Sequence, residues 1–114
     1  MEKDILPAMK SDKSLIIVAL DDGKVIGYAY LMIKEPDVAL NERKKYGYVH
    51  DLFITGEYRR TGIGEKMFDE IVKWFRSKDI DRIELDVIVK NRIAYSFWEK
   101  HGFTDYVHTL YRQI

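Results

Sequence analysis

The segment from residue 46 to residue 89 constrains the fold most, because two strand-like runs flank one amphipathic helix. Tyr46 to Ile54 has strand composition, and a helix introduced by Gly62 and Gly64 runs to about Ser77. Apolar residues recur in this helix at three- and four-residue intervals: Ile63, Met67, Phe68, Ile71, Trp74 and Phe75. Arg82 to Val89 alternates as a second strand. Strand, helix and strand over this length predict a βαβ crossover with two parallel strands.

Two further strands precede this unit. The apolar runs Leu15 to Leu20 and Lys24 to Ile33 flank Asp22-Gly23, and this dipeptide favours a tight antiparallel hairpin. The polar stretch Glu35 to Lys45 lacks a clean period and predicts a loop or a short irregular helix.

A second helix and a closing segment follow the unit. Asn91 is a good N-cap for the helix, and Gly102 stands where a left-handed C-terminal cap is expected. Alternation in Phe103 to Ile114 predicts one or two closing strands. One helix face is apolar and aromatic: Ala94, Phe97 and Trp98.

Composition limits the classes of function. A chain of 114 residues predicts one domain over 1–114. Its antiparallel strands and the βαβ unit place it in the α/β (α+β) class, with a mixed and mostly antiparallel sheet. With 19 basic and 19 acidic residues, the chain is not built to coat nucleic acid or an anionic membrane. No apolar run is long enough to span a bilayer, and residues 1–10 do not resemble a secretory signal, so we expect a cytoplasmic protein. Without cysteine or paired histidines, a metal site is not expected.

The turn within Val49 to Glu65 predicts an anion site. Unpaired N–H groups at a helix N-terminus favour negative charge, and Gly62 and Gly64 let a phosphate approach the main chain. Arg59 and Arg60 add charged donors. We therefore expect a ligand that carries phosphate, although a tight connection whose glycines serve only packing would show the same pattern.

Two other phosphate-binding motifs do not fit this turn. A Walker loop requires Gly-Lys followed by Ser or Thr, whereas Gly64 is followed by Glu65 and Lys66. A dinucleotide fingerprint requires a small residue where Met67 stands.

The remaining pattern, Arg59-x-x-Gly62-x-Gly64, resembles the acetyl-CoA-binding motif of the GNAT (Gcn5-related N-acetyltransferase) superfamily. The stretch from Asn91 to Phe103, with its Phe97-Trp98 pair and Gly102-Phe103, resembles the next motif of that family. The resemblance covers about Leu15 to the C-terminus and implies a GNAT-like domain with a central pair of splayed parallel strands.

The resemblance also implies a cofactor site and a reaction. An acetyl-CoA-dependent N-acetyltransferase moves the acetyl group to a primary amine by direct attack in a ternary complex. Backbone groups of one splayed strand would pair with pantetheine, and an N–H near Phe53 or Ile54 would polarise the thioester carbonyl. The implied cofactor-binding residues are Leu52, Phe53, Ile54, Arg59, Arg60, Thr61, Gly62, Ile63, Gly64, Glu65, Asn91 and Trp98.

The sequence departs from the family pattern at the predicted catalytic positions. His50 stands where many members have a glutamate, and an imidazole is a suitable general base near neutral pH. Trp98 takes the place of a common tyrosine, and Tyr95 is the candidate replacement for the acid that protonates the thiolate. His50 and Tyr95 also fit purely structural roles, His50 as a strand residue and Tyr95 as a packing residue.

The N-terminal region is the third departure. Only residues 1–14 precede the hairpin, so the acceptor-site elements of the family are missing or shortened, and a homodimer through the hairpin edge or the C-terminal strand could supply a wall. The alternative is a CoA-binding module with little or no turnover. Asp51, Glu84 and Asp86 could attract a cationic amine or be merely solvated, which leaves polyamines, aminoglycosides, lysine side chains and protein N-termini open.

Overall fold

The computed structural model describes residues 3–36 and 44–114. Most of the predicted loop 35–45 lies outside these residues. The strands are β1 (Lys3–Lys10), β2 (Ser14–Asp21), β3 (Lys24–Lys34), β4 (Tyr46–Ile54) and β5 (Ile83–Glu84). The helices are α1 (Ile63–Ser77) and α2 (Arg92–Lys100), and a 3₁₀ turn, Gly56–Tyr58, follows β4.

The sheet has five strands in the order β1-β2-β3-β4-β5. The first three pairings are antiparallel and β4–β5 is parallel, which confirms the mixed sheet and the βαβ crossover. Asp22 and Gly23 join β2 to β3 with φ of 52° and 83°. Positive φ at both positions is the geometry for which Asp-Gly is suited, so the predicted hairpin is confirmed.

The core lies between one face of the sheet and the two helices. The first turn of α1 begins after the left-handed Gly62, and its predicted apolar stripe faces the sheet, with Ile63, Met67, Ile71 and Phe75 at most 1% exposed. Buried residues of β2, β3 and β4 complete this core: Leu15, Ile17, Ala19, Ile26, Ala29, Leu31 and Val49. Neither described helix, within 3–36 and 44–114, has the length and apolarity to cross a bilayer.

The predicted second helix is confirmed at both ends. The Asn91 side chain accepts a hydrogen bond from the Ala94 backbone N–H at 3.1 Å, as an N-cap does. Gly102 has φ of 89°, in the left-handed region expected of a C-terminal cap. Trp98 is buried, and its ring packs edge-on against Phe68 of α1.

Three expectations require correction. Lys3–Lys10 forms β1, whereas no strand was predicted before the hairpin. Pro7 cannot donate a ladder hydrogen bond, and an edge strand tolerates this. The predicted strand 82–89 is paired only at Ile83–Glu84, although Leu85 and Val87 stay partly buried. Residues 103–114 form no strand, because alternation requires a partner strand, and the pairing of β1 with β2 also covers the hairpin edge proposed for dimerisation.

Gly47 tests the packing of α1 on β4. A Cβ built at Gly47 would lie 2.5 Å from Phe75 Cε1, and the Phe75 ring is buried in the core. We expect Gly47→Ala to lower the free energy of unfolding by about 1–3 kcal/mol in urea denaturation. Gly56→Ala is the matched control, because its Cβ would meet nothing within 4 Å. Equal stability of the two variants would contradict this packing.

Candidate active site

A V-shaped opening separates β4 from β5. Their parallel pairing consists of Gly47 with Ile83 and Tyr48 with Glu84, and it ends there. Within the described residues, the rest of β4, to Ile54, has no strand neighbour on the side away from β3. The splayed pair implied by the family resemblance is therefore present.

A β-bulge in β4 lies just beyond the vertex of this opening. Tyr30 of β3 is opposite Asp51, but Leu31 is opposite Val49, so His50 is the extra residue. A bulge bends its strand and interrupts the alternation of side chains. It explains both why β4 leaves β5 and why His50 and Asp51 are consecutive exposed residues.

The backbone of β4 beyond the bulge has a definite orientation. The Thr55 N–H donates to the Ile26 carbonyl at 2.9 Å, so Thr55 faces β3. Backbone groups of alternate residues face the same side of a strand, so Phe53 also faces β3 while Leu52 and Ile54 face the opening. The Ile54 carbonyl accepts a hydrogen bond from Arg59 Nε at 3.3 Å, which agrees with this direction.

The turn before α1 exposes a row of backbone donors. The first intrahelical bond runs from the Lys66 N–H to the Gly62 carbonyl at 3.2 Å, so the N–H groups of Ile63, Gly64 and Glu65 precede it. Arg60 and Gly62 have positive φ of 64° and 87°, and the left-handed region disfavours a side chain such as that of Arg60. The chain thus curves around the helix N-terminus where the anion site was predicted.

The two glycines of the motif have different surroundings. A Cβ at Gly62 would meet nothing within 4 Å, so this side of the turn is open. A Cβ at Gly64 would lie 2.9 Å from Phe97 Cε1, so this glycine allows α2 to approach α1. The packing interpretation therefore applies to Gly64, whereas Gly62 supplies the backbone conformation and an open approach.

A buried carboxylate anchors the turn to the hairpin. The Tyr58 hydroxyl donates a short hydrogen bond to Asp21 Oδ2, and Asp21 is only 5% exposed. This hydrogen bond raises the pKa of Tyr58 above its usual value. The Thr61 hydroxyl donates to the Tyr58 carbonyl at 2.5 Å, which continues the restraint into the glycine-containing part of the turn.

Glu65 joins the two helix ends beside the turn. Lys100 Nζ donates to Glu65 Oε1 at 3.2 Å, and His101 Nε2 lies 3.9 Å from the same oxygen. The hydrogen bond from Lys100, followed by that from the backbone N–H of Glu65 itself, lowers the pKa of this carboxyl. The ionised side chain of Glu65 therefore lies in the first turn of α1.

His50 belongs to an exposed cluster at the vertex of the opening. Its Nδ1 lies 3.0 Å from Asp51 Oδ2, and its ring centroid is 5.1 Å from that of Tyr30 and 6.3 Å from that of Tyr48. When Nδ1 carries the proton donated to Asp51, Nε2 has the free lone pair that a base requires.

A hydrogen bond between Tyr48 and Asp86 joins the two sides of the opening. The Tyr48 hydroxyl donates to Asp86 Oδ2 at 2.6 Å, from β4 to the unpaired chain after β5. This hydrogen bond, together with burial, raises the pKa of Tyr48 from 10.0 to about 12. Asp86 was considered only as a charge that could attract a cationic amine, and Tyr48 was not among the predicted site residues. Their contact was not predicted, because a separation of 38 positions gives no local sequence signal.

Three predicted site residues, in α2 and at its N-cap, have other contacts. The Asn91 oxygen caps the helix, which leaves its amide NH₂ for other contacts. The Tyr95 hydroxyl donates to Asp105 Oδ1 at 2.9 Å, which raises the pKa of Tyr95 and directs it toward the C-terminal segment. Trp98 is 8% exposed and packs edge-on against Phe68 and Phe103, so the structure does not bring its indole to the opening.

Known proteins are similar to this chain in sequence and in fold. The model of the Acetyltransferase (GNAT) family matches residues 2–103. The chain belongs to this GNAT family. An uncharacterized N-acetyltransferase of Archaeoglobus fulgidus is 30% identical over 90 residues, and N-alpha-acetyltransferase 30 of Schizosaccharomyces pombe is 35% identical over 89. These alignments cover 79% and 78% of this chain, but only 60% and 57% of the relatives.

Solved structures support the GNAT fold. A tetramutant of the BH1408 protein from Bacillus halodurans has a TM-score of 0.83 and 26% identity, covering 94% of this chain and 70% of that one. The aminoglycoside acetyltransferase AAC(6')-Iy, solved with a CoA-containing bisubstrate analogue, has a TM-score of 0.79 at 18% identity, covering 91% of this chain and 71% of that one; the likeness shows shared fold alone.

An open hollow of about 560 Å³ lies elsewhere, between β1 and α1. Its lining includes three carboxylates and two ammonium groups, and it does not include β4: Asp4, Ile5, Leu6, Lys66, Asp69, Glu70 and Lys73. Among residues 3–36 and 44–114, no three potential metal ligands lie together.

The bridge between Tyr48 and Asp86 makes stability depend on pH. Since the pKa of Tyr48 is higher in the folded chain, the bond stabilises fully below pH 10 and is lost as the pH rises toward about 12. We expect wild type to be more stable than Tyr48→Phe below pH 10, with a gap that narrows above it. Urea unfolding across this range measures the gap; a constant difference would contradict the bridge.

Proposed function

We propose that this chain binds acetyl-CoA along the free edge of β4 and the turn before α1, and transfers the acetyl group to a primary amine. One observation carries the proposal: the outward backbone of Leu52 and Ile54 leads directly to the unpaired N–H groups at the start of α1. A strand edge suits the amides of pantetheine, and a helix N-terminus suits a pyrophosphate.

The described contacts support a separate role for each cofactor-binding residue except Trp98, which is buried. The N–H groups of Ile63 and Gly64 receive the pyrophosphate, and that of Glu65 joins them only when its own carboxylate releases it. Arg59 and Arg60 add positive charge at the exposed rim of the turn. Thr61 and Gly62 shape the turn, and Leu52 and Ile54 pair with pantetheine. Phe53 faces β3 with its backbone, so its exposed ring alone is available. The Asn91 amide NH₂ is a further donor at the splayed end.

The residues at the vertex suit direct transfer. The amine nitrogen attacks the thioester carbon, its proton passes to His50 Nε2, and the carbon–sulfur bond breaks to release the thiolate. The Leu52 N–H, which is the outward donor nearer His50, donates to the thioester carbonyl oxygen as charge develops there. The Leu52 carbonyl and the Ile54 N–H remain for the pantetheine amides. An alkylammonium of pKa about 10.4 costs roughly 4–5 kcal/mol to deprotonate at pH 7, so a base at this position has a clear use.

No phenol is needed at the sulfur for this reaction. A thiol of pKa about 8.5 leaves readily as thiolate near neutral pH. This matters because the Tyr95 hydroxyl is engaged with Asp105 and Trp98 is in the core. Tyr95 remains a candidate acid only if it exchanges this partner.

Gly62 tests the cofactor site. We expect Gly62→Asn to weaken acetyl-CoA binding at least about tenfold, because its side chain enters the open approach to the N–H groups. Asparagine tolerates positive φ, so the turn keeps its conformation and the effect on folding is small. Calorimetric titration measures the acetyl-CoA affinity of each protein, and a thermal melt measures its stability. Unchanged affinity in a folded variant would exclude this turn as the pyrophosphate site.

His50 tests the transfer step. We expect His50→Gln to lower kcat about a hundredfold at neutral pH, with little effect on acetyl-CoA affinity, because the base is lost. His50→Glu is the matched variant, since a carboxylate can also accept the proton, and it should recover most of the activity. The loss in His50→Gln should shrink as the pH approaches the pKa of the amine. Equal rates for the three proteins would remove His50 from the mechanism.

A CoA-binding module without turnover is the second candidate function. A module that only binds the cofactor requires no acid at all, so the engagement of the Tyr95 hydroxyl with Asp105 is consistent with it. Acetyl-CoA binding without transfer to any amine would establish this function instead. Gel filtration of the same sample would show whether the protein tested is a monomer or a homodimer.

A further inference from the structure

The face of the sheet opposite α1 carries an aromatic surface beside His50. Cross-strand neighbours share a face, and the register places Tyr30 beside the bulge and Met32 opposite Tyr48. We call this surface the tyrosine face, formed by Tyr30, Met32, Tyr48 and His50. It begins at the proposed base and extends along the sheet away from the proposed thioester, so it is the surface that an acceptor amine would contact.

An ammonium group already lies on the tyrosine face. Lys34 Nζ is 3.9 Å from the centroid of the Tyr48 ring, within the range of a cation–π contact. Asp86 binds the hydroxyl of the same ring at 2.6 Å. Ring and carboxylate together form a site for a cation, and the chain's own lysine shows that an ammonium fits the ring.

The charges around this surface favour a positively charged acceptor. Its carboxylates are Asp51, Asp86 and Glu84, and its cations are Lys34 and Arg82. Arg82 Nε donates to Glu84 at 2.9 Å, which neutralises that pair. Asp51 contacts His50 Nδ1 and Asp86 accepts from the Tyr48 hydroxyl, so with a neutral His50 these two carboxylates face the one ammonium of Lys34. An additional positive charge is therefore attracted rather than repelled.

We propose that the acceptor is a short alkyl diamine, whose reacting amine meets His50 while its second ammonium binds at Tyr48 and Asp86 in place of Lys34. This inference rests on the proposed acetyl transfer and names its substrate class. The centroids of the His50 and Tyr48 rings are 6.3 Å apart, a distance that a short methylene chain spans. Tyr30 and Met32 offer apolar contact for the methylenes of such a chain.

The step balances without a further reactant. The neutral amine of the diamine forms the new carbon–nitrogen bond, the carbon–sulfur bond of the thioester breaks, and His50 takes the amine proton. The second amine stays protonated throughout, and it is this charge that Tyr48 and Asp86 recognise. The products are the monoacetylated diamine and CoA.

Putrescine and butylamine test the proposal, because they share a four-carbon chain and differ in the second ammonium. We expect kcat/KM to be at least about tenfold higher for putrescine than for butylamine. Asp86→Asn should reduce this ratio about tenfold. Asp69→Asn removes the same charge from α1, on the other side of the sheet, and should leave the ratio unchanged.

Lys34→Ala tests the same site, but it should strengthen the binding of the second ammonium, whereas Asp86→Asn should weaken it. Removing the competing ammonium should lower KM for putrescine several-fold and change KM for butylamine less, because only the diamine uses the Tyr48 site. This variant keeps the proposal testable if Asp86→Asn does not fold. A ratio that is unaffected in both variants, or equal rates with the two amines, would overturn the inference.

Calorimetry with acetyl-CoA on the same proteins separates the two levels of failure. Acetyl-CoA binding and transfer to butylamine or to a peptide N-terminus, without preference for putrescine, would overturn the diamine inference alone. Acetyl-CoA binding without transfer to putrescine would also overturn it and support the CoA-binding module. Absence of acetyl-CoA binding would overturn the proposed function and the inference together.

Discussion

One extra residue in β4 determines most of the site. Because His50 has no partner of its own in β3, β4 bends at this point and separates from β5 after Tyr48. The same bulge turns His50 and Asp51 to the exposed face together and leaves the backbone of Leu52 and Ile54 facing the opening. The proposed base, the proposed cofactor edge and the acceptor surface thus follow from a single irregularity in the sheet.

The rest of the molecule holds that irregularity in place. Close packing fixes α1 against β4, since the Phe75 ring occupies the space that a Gly47 side chain would need. The absence of a side chain at Gly64 lets α2 approach the start of α1, and the bond from Tyr58 to the buried Asp21 ties the intervening turn to the hairpin. Rigid packing therefore surrounds an exposed turn and an exposed strand edge, which is an arrangement suited to binding an extended ligand.

Local sequence signals predicted much of this fold. The Asp22-Gly23 turn, the apolar stripe of α1 and the Asn91 cap each depend on neighbouring residues, and all three are confirmed. Features that depend on distant partners were not predictable in the same way. The edge strand β1 exists through its pairing with β2 and was not predicted, and alternation after residue 103 suggested strands that find no partner. Within the candidate site, the sequence motif located the turn before α1. The hydrogen bond from Tyr48 in β4 to Asp86 beyond β5 became evident only from the structure.

Amide chemical shifts measured by NMR while CoA is added test the central claim most directly, because they report each backbone N–H separately. Our account predicts that the amides of Leu52, Ile54, Ile63 and Gly64 shift most and saturate together, since one extended ligand binds the strand edge and the helix N-terminus at once. Shifts confined to the hollow between β1 and α1, or no saturable shifts in the folded protein, would contradict it.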